Sequence, residues 1–300
     1  MSDAAASQPI APGSPEKRMD LSDTVRLLGD LLGQVVSAEE SAQLFDAEER
    51  IRALAKARRA GDVQADTHLA AEVVALTPQA ARGVASAFAV YFDLVNVAEE
   101  DYRVQALRER QREQYPQPIH DSIAAAVEQL KQRGVTAEQL STLLNQLHIE
   151  LVLTAHPTEA KRRTILSKLQ RVAQGLRQLD ATDLLPHEHA AILDALRAEI
   201  TALWLTDQAR TSKPSVTDEV RTGLYFIDEI FWDVLPRIYA DLDAALAQHY
   251  PQLSSPARWL TLASWIGGDR DGNPYVTAEV TAETLRLHRG LAIEHHRRAL

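Results

Sequence analysis

Two short apolar runs, residues 149–154 and 259–266, interrupt a chain whose apolar residues otherwise recur at helical spacing. Each run is too short for a buried helix, and each gives way to a loop rich in polar side chains and then to a helical pattern. Continuous apolar runs suit strands covered on both faces, as in a parallel sheet. The strand–loop–helix order suits a β/α barrel, whose active sites lie at the C-terminal ends of the strands. Two strands cannot close a barrel. The expected fold class is therefore mainly α: a helical part plus the first strands of an incomplete, helix-rich β/α barrel of the TIM type.

The helical remainder is marked by its caps. Val25, Leu28, Leu32 and Val35 or Val36 form one apolar stripe. A second helix over residues 44–60 is stopped by Gly61. Thr77-Pro78 is a cap followed by proline at the first helical position, opening a long helix toward Arg112. Thr136 and Gln139 form a capping box. Further helices are expected over 184–209 and over 216–249, the latter kinked by Pro236. Residues 1–19 are rich in Ala, Ser and Pro, lack the apolar core of a signal peptide, and read as a disordered tail ahead of a single part over 20–300. The last helix, from Ala278, reaches Leu300 with no stop signal, so a truncated protein is expected.

Composition excludes some chemistry. With no cysteine, the chain has no disulfide, thiolate zinc site or cysteine nucleophile. A net charge of −10 argues against general nucleic-acid binding but leaves room for a local cationic pocket. No run approaches the length of a membrane span, so a cytoplasmic protein without nucleic-acid or membrane partners is expected.

The first strand ends in Thr154-Ala155-His156-Pro157-Thr158-Glu159-Ala160-Lys161-Arg162-Arg163-Thr164. Pro157 holds His156 in extended backbone. Thr158 can cap the next helix, whose first turns would carry Lys161, Arg162 and Arg163 near N–H groups that favour an anion. Arginine forks suit phosphate and carboxylate, and histidine exchanges a proton near neutral pH. Read from the residues alone, His156 fits either a hydrogen-bonded structural histidine or a proton-transfer group. The three cations fit either a solvated face or an anion site.

The second strand is followed by Trp265-Ile266-Gly267-Gly268-Asp269-Arg270-Asp271-Gly272-Asn273-Pro274. Glycines permit tight turns, and the Asp–Arg–Asp run fits either an ion-paired rigid loop or a surface turn. A calcium loop starting at Asp269 fails, because its sixth and twelfth positions hold Pro274 and Val280. His187 and His189, His295 and His296, and the pairs Glu39-Glu40 and Glu48-Glu49 read as solvated faces.

These two segments resemble the TAHPTE-x-x-RRT and GGDRDGNP signatures of the phosphoenolpyruvate carboxylases. Trp204 to Arg210, Asp218 to Arg221 and Val25 to Gly33 are similar to further regions of the family's bacterial form. The resemblance covers about Asp20 to Leu300 and implies carboxylation of phosphoenolpyruvate by bicarbonate to oxaloacetate and phosphate, through carboxyphosphate and pyruvate enolate, as an anaplerotic supply of the citric acid cycle. It implies that His156 is catalytic, acting as a base toward carboxyphosphate, and that Arg162, Arg163 and Arg210 bind anions, with a sugar-phosphate activator site in some members. It implies that Trp265 lies near the substrate and that Asp269, Arg270, Asp271 and Asn273 shape the site. It further implies an allosteric, homotetrameric enzyme requiring Mg²⁺ or Mn²⁺, whose ligands are expected beyond residue 300. Without them, this polypeptide alone is expected to be inactive. Two other classes fit the residues: a helical anion-binding module without chemistry, and a histidine phosphocarrier. The second needs an exposed histidine, whereas Pro157 and the apolar strand favour a recessed one.

Overall fold

In the computed structural model, residues 19–154, 161–181, 183–207 and 214–300 are described. The tail over 1–18, His156 with its flanking loop, and Arg210 lie outside them. In chain order the elements are α1 (Leu21–Glu39), α2 (Ala42–Arg59), α3 (Val63–Ala75), α4 (Pro78–Gln114), α5 (Ile123–Gln132), α6 (Ala137–Gln146), β1 (Ile149–Leu153), α7 (Arg163–Leu179), α8 (Pro186–Trp204), α9 (Val216–Phe226), a π-helical turn (Ile227–Phe231), α10 (Trp232–His249), β2 (Leu260–Ser264) and α11 (Ala278–Ala299). The chain divides into two units, one of Met1–Ala106 with Thr164–Ala209, the other of Leu107–Arg163 with Arg210–Leu300.

The first unit is built of helices. Asp20 caps α1 by accepting from the Asp23 N–H at 2.8 Å, and Ser41 caps α2 through the Leu44 N–H at 3.1 Å. Gly61, at φ +94°, ends the α2 segment in the left-handed region that glycine adopts without strain. Thr77 accepts from the Ala80 N–H at 3.2 Å, so Pro78 does stand at the first position of α4. The α1 stripe, Leu28, Leu32, Val35 and Val36, is buried with Val90 and Leu94 of α4, Val172 of α7 and Ile200 of α8. Each such side chain contributes roughly 2 kcal/mol relative to exposure. Helix α8 stops at Trp204, short of the expected 209.

Glu48, expected on a solvated face, is instead buried. Burial, and then the neighbouring Glu49 carboxylate, raise its pKa above the ordinary glutamate value, against the opposing pull of Arg52. Arg52 itself forks onto Glu49.

The second unit holds the strands. β1 and β2 pair in parallel, from Ile149 opposite Leu260 to Leu153 opposite Ser264. Behind them, Val127 of α5, Leu140 and Leu144 of α6, and Leu242 and Leu246 of α10 bury against Tyr250, Trp259 and Leu260. The phenols of buried Tyr250 and half-buried Tyr239 keep polar partners. Tyr250 donates to the Val135 carbonyl at 2.9 Å, and Tyr239 donates to the Leu260 carbonyl at 2.8 Å. The capping box of α6 forms as expected between Thr136 and Gln139.

Two expectations change here. β1 is not covered on both faces, since Ile149 and Leu151 are 41% and 43% exposed. With two strands among the described residues, against the eight a barrel requires, the architecture stands as mainly helical with a parallel strand pair. The expected helix over 216–249 is interrupted at Ile227–Phe231, where the Trp232 N–H reaches back five residues to the Ile227 carbonyl. The interruption precedes Pro236, which lies within α10.

Candidate functional site

The site expected from the sequence lies in the second unit, at the C-terminal ends of the two paired strands. β1 ends at Leu153 and β2 at Ser264, register partners. The Trp265 N–H donates to the Leu153 carbonyl at 2.9 Å, carrying the pairing one step past the strands. The Ile266 N–H donates to Ser264 Oγ at 3.1 Å. The chain then folds back on itself, with the N–H groups of Gly268 and Asp269 both donating to the Trp265 carbonyl, at 3.0 and 2.9 Å.

Gly267 makes this turn possible. Its φ is +79°, and a Cβ there would overlap Thr284 Oγ1 of α11 and come within 2.8 Å of Val220 on α9. Ile266 is buried while Trp265 is 57% exposed, so the turn packs on its isoleucine and presents its tryptophan. Farther on, Asp271 and Gly272 have positive φ. Asn273 Oδ1 accepts from the Tyr275 N–H at 3.1 Å, and buried Val276 anchors the loop's far end.

The two readings of the Asp–Arg–Asp run separate here. Asp269, Arg270 and Asp271 are exposed, and no two of them form an ion pair with each other. Backbone hydrogen bonds and turn geometry hold the loop instead. A surface arginine and aspartate gain little from pairing in water.

On the β1 side, α7 begins at Arg163, so Lys161 and Arg162 precede the helix rather than sitting in its first turns. Both are half-buried, and Arg163 is exposed. The Arg163 guanidinium carbon lies 5.0 Å from the centre of the Tyr225 ring. His156, Thr158 and Arg210 cannot be placed, being outside the described residues. Trp265, Asp269, Arg270, Asp271 and Asn273 all lie in one loop at the end of β2, and Arg162 and Arg163 follow the end of β1.

Helix α9 carries the Asp218-to-Arg221 segment and adds Ser215 and Gly223, which sequence reasoning did not single out. Ser215 caps it by accepting from the Asp218 N–H at 3.2 Å, while the Asp218 carboxylate accepts from the Ser215 hydroxyl at 2.6 Å. The Ser215 contacts hold the Asp218 pKa below the usual carboxylate range, with help from Arg221. Gly223 is buried where a Cβ would come within 2.9 Å of Ile266 Cδ1 and 3.9 Å of Leu153 Cδ1, so α9 lies directly on the strand ends. A glycine on the apolar side of a helical pattern is the signal for that close approach. His295, expected on a solvated face, is buried instead. It stacks on Trp232 at 4.0 Å, with Nε2 2.8 Å from Asp228 Oδ1 at an angle outside hydrogen-bond geometry.

Among the described residues no three His, Asp or Glu side chains gather to hold a metal. The resemblance expects the ligands of its divalent cation beyond residue 300, and no step below runs through that cation. No described helix is long and apolar enough to cross a membrane.

A family model described as phosphoenolpyruvate carboxylase matches residues 21–300. A phosphoenolpyruvate carboxylase of Thermus thermophilus is 41% identical over 272 residues, covering 89% of this chain and 30% of that protein. One of Roseiflexus castenholzii is 40% identical over 284 residues, covering 92% of this chain and 30% of that protein. One of Acinetobacter baylyi is 38% identical over 280 residues, covering 91% and 31%. The chain thus spans about 30% of the length of the curated relatives it matches. With the family model running across nearly the whole of it, and both loops at the strand ends inside the matched region, the chain belongs to the phosphoenolpyruvate carboxylase family.

Proposed function

We propose that this chain contributes part of the active site of an enzyme that carboxylates phosphoenolpyruvate with bicarbonate, giving oxaloacetate and phosphate. Family membership supports this reading, and one structural observation carries it. The Trp265-to-Asn273 loop leaves β2 at the end where its parallel partner β1 also finishes, and the basic segment Lys161-Arg162-Arg163 follows β1 in the chain. Ligands of open parallel sheets and barrels gather at that end.

In the reaction, a bicarbonate oxygen attacks the phosphorus of phosphoenolpyruvate. The P–O bond to the enol breaks and leaves the enolate of pyruvate beside carboxyphosphate. His156 takes the carboxyl proton of carboxyphosphate, whose bond to the phosphate oxygen then breaks to release CO₂ and phosphate. The enolate carbon attacks CO₂ and forms oxaloacetate. Arg162, Arg163 and Arg210 bind anionic oxygens, where cations offset the charge on the phosphate. Trp265, exposed at the loop's start, borders the substrate, and Asp269, Arg270, Asp271 and Asn273 set the loop's shape. The divalent cation, the homotetrameric assembly and the cytoplasmic location belong to the same proposal.

The test is a coupled assay of oxaloacetate formation from phosphoenolpyruvate, bicarbonate and Mg²⁺, run on the 300-residue chain and on a longer product extended to the full length of its relatives. Turnover by the longer product alone is expected. Absence of turnover in a folded, metal-loaded longer product would overturn the reading in favour of an anion-binding module.

A further inference from the structure

The Arg163 guanidinium carbon lies over the Tyr225 ring, 5.0 Å from its centre. Arg163 is exposed at the start of α7. A long exposed side chain populates many rotamers, and ordering it at the moment of binding weakens the binding. Stacking on an aromatic ring uses the guanidinium's face, whereas carboxylate and phosphate recognition uses the N–H groups along its edge. The two contacts are therefore compatible in one side chain.

Tyr225 is well placed to act as a fixed platform. It stands two residues after Gly223, the contact that seats α9 against Ile266 and Leu153 at the strand ends. Its ring also packs edge-on against Phe226, at 5.6 Å and 69°. The platform is thus tied to the same strand ends from which the two loops leave.

We propose that Tyr225 is a positioning residue, holding the Arg163 guanidinium in advance with its N–H edge presented to a phosphate or carboxylate group. The inference rests on the reading of Arg163 as an anion ligand.

The experiment titrates inorganic phosphate into the 300-residue chain and its Tyr225→Phe, Tyr225→Leu, Arg163→Gln and Tyr225→Leu/Arg163→Gln variants, with unfolding midpoints recorded alongside. Tyr225→Phe keeps the ring and is expected to bind as the parent does. Tyr225→Leu is expected to weaken phosphate about threefold, the scale of one exposed cation–π contact. In the Arg163→Gln background it should change nothing further. The Arg163 Cδ protons should show an upfield ring-current shift in the parent and in Tyr225→Phe, and lose it in Tyr225→Leu. An Arg163→Gln variant that weakens phosphate while Tyr225→Leu does not overturns the positioning role and leaves the anion ligand standing. Unchanged affinity in Arg163→Gln overturns the reading beneath it as well. An equal loss from Tyr225→Leu in both backgrounds would make the tyrosine a structural residue and reject the inference.

Discussion

Trp265 donates its backbone N–H to the carbonyl of Leu153 at 2.9 Å, tying the loop after β2 to the last residue of β1. Segments 112 residues apart in the chain (153 to 265) therefore share a hydrogen bond at the point where both strands end. The loops' relative placement depends on the backbone turn that follows, and hence on Gly267.

Alanine at Gly267 is expected to destabilise the chain by roughly 3 kcal/mol. It forces an L residue to φ +79° and drives a methyl into Thr284 and Val220. Urea unfolding measures this, and an unchanged midpoint would show that the turn relaxes freely.

Glu48 gives the first unit a pH dependence of definite sign. Its pKa is raised in the folded protein, chiefly by burial and then by Glu49. The folded state therefore holds the proton more tightly than the unfolded chain, and this contribution to stability is complete at low pH. It is lost as pH rises from the ordinary glutamate value of 4.5 through the raised folded value. Glu48→Gln is expected to flatten stability across that window and to raise the unfolding midpoint at pH 8. A Gln variant less stable than the parent at pH 8 would contradict the account.

Thr136→Ala removes the hydroxyl that accepts from the Gln139 N–H at 3.3 Å. The expected loss is about 1 kcal/mol in urea unfolding, with Thr136→Ser close to the parent. Equal losses in both variants would point to packing by the threonine methyl rather than to the cap.

Arg162→Ala is expected to weaken phosphate binding roughly tenfold, the scale of a hydrogen bond to a charged group. Isothermal titration at low salt reads it, and retained affinity would remove Arg162 from the anion site.

In a product extended to the full length of its relatives, His156→Asn is expected to lower oxaloacetate formation by at least about 100-fold while the unfolding midpoint stays within a few degrees. Full activity in this variant would end the assignment of His156 as the base.

Features governed by neighbours in sequence were legible beforehand. The Thr77-Pro78 start of α4, the Thr136–Gln139 box and the Gly61 stop each depend on groups within about four residues, so residue type suffices to read them. Both strands were legible as short apolar runs. The loops at their ends could be read as a pair because each carries an extended motif. Much less was visible in His295 and Glu48. Each is a charged or titratable residue in a polar stretch, and each is buried only because another element meets its face, the π-helical turn and the start of α10 for His295, α1 and α4 for Glu48. The same limit applies to the Asp269–Arg270–Asp271 run, whose choice between ion-paired lock and surface turn depends on burial.

The sequence by itself marked both strands, most of the longer helices, the Thr77-Pro78 and Thr136–Gln139 caps and both family motifs, because periodicity, capping chemistry and motif spacing are properties of the local chain. Only the tertiary structure decided that β1 and β2 pair in parallel register, that Gly267 must accept contact from α9 and α11, and that Tyr225 lies beneath Arg163. Those outcomes follow from close packing between segments far apart in the chain, where the space left by one side chain is set by residues that no local pattern names.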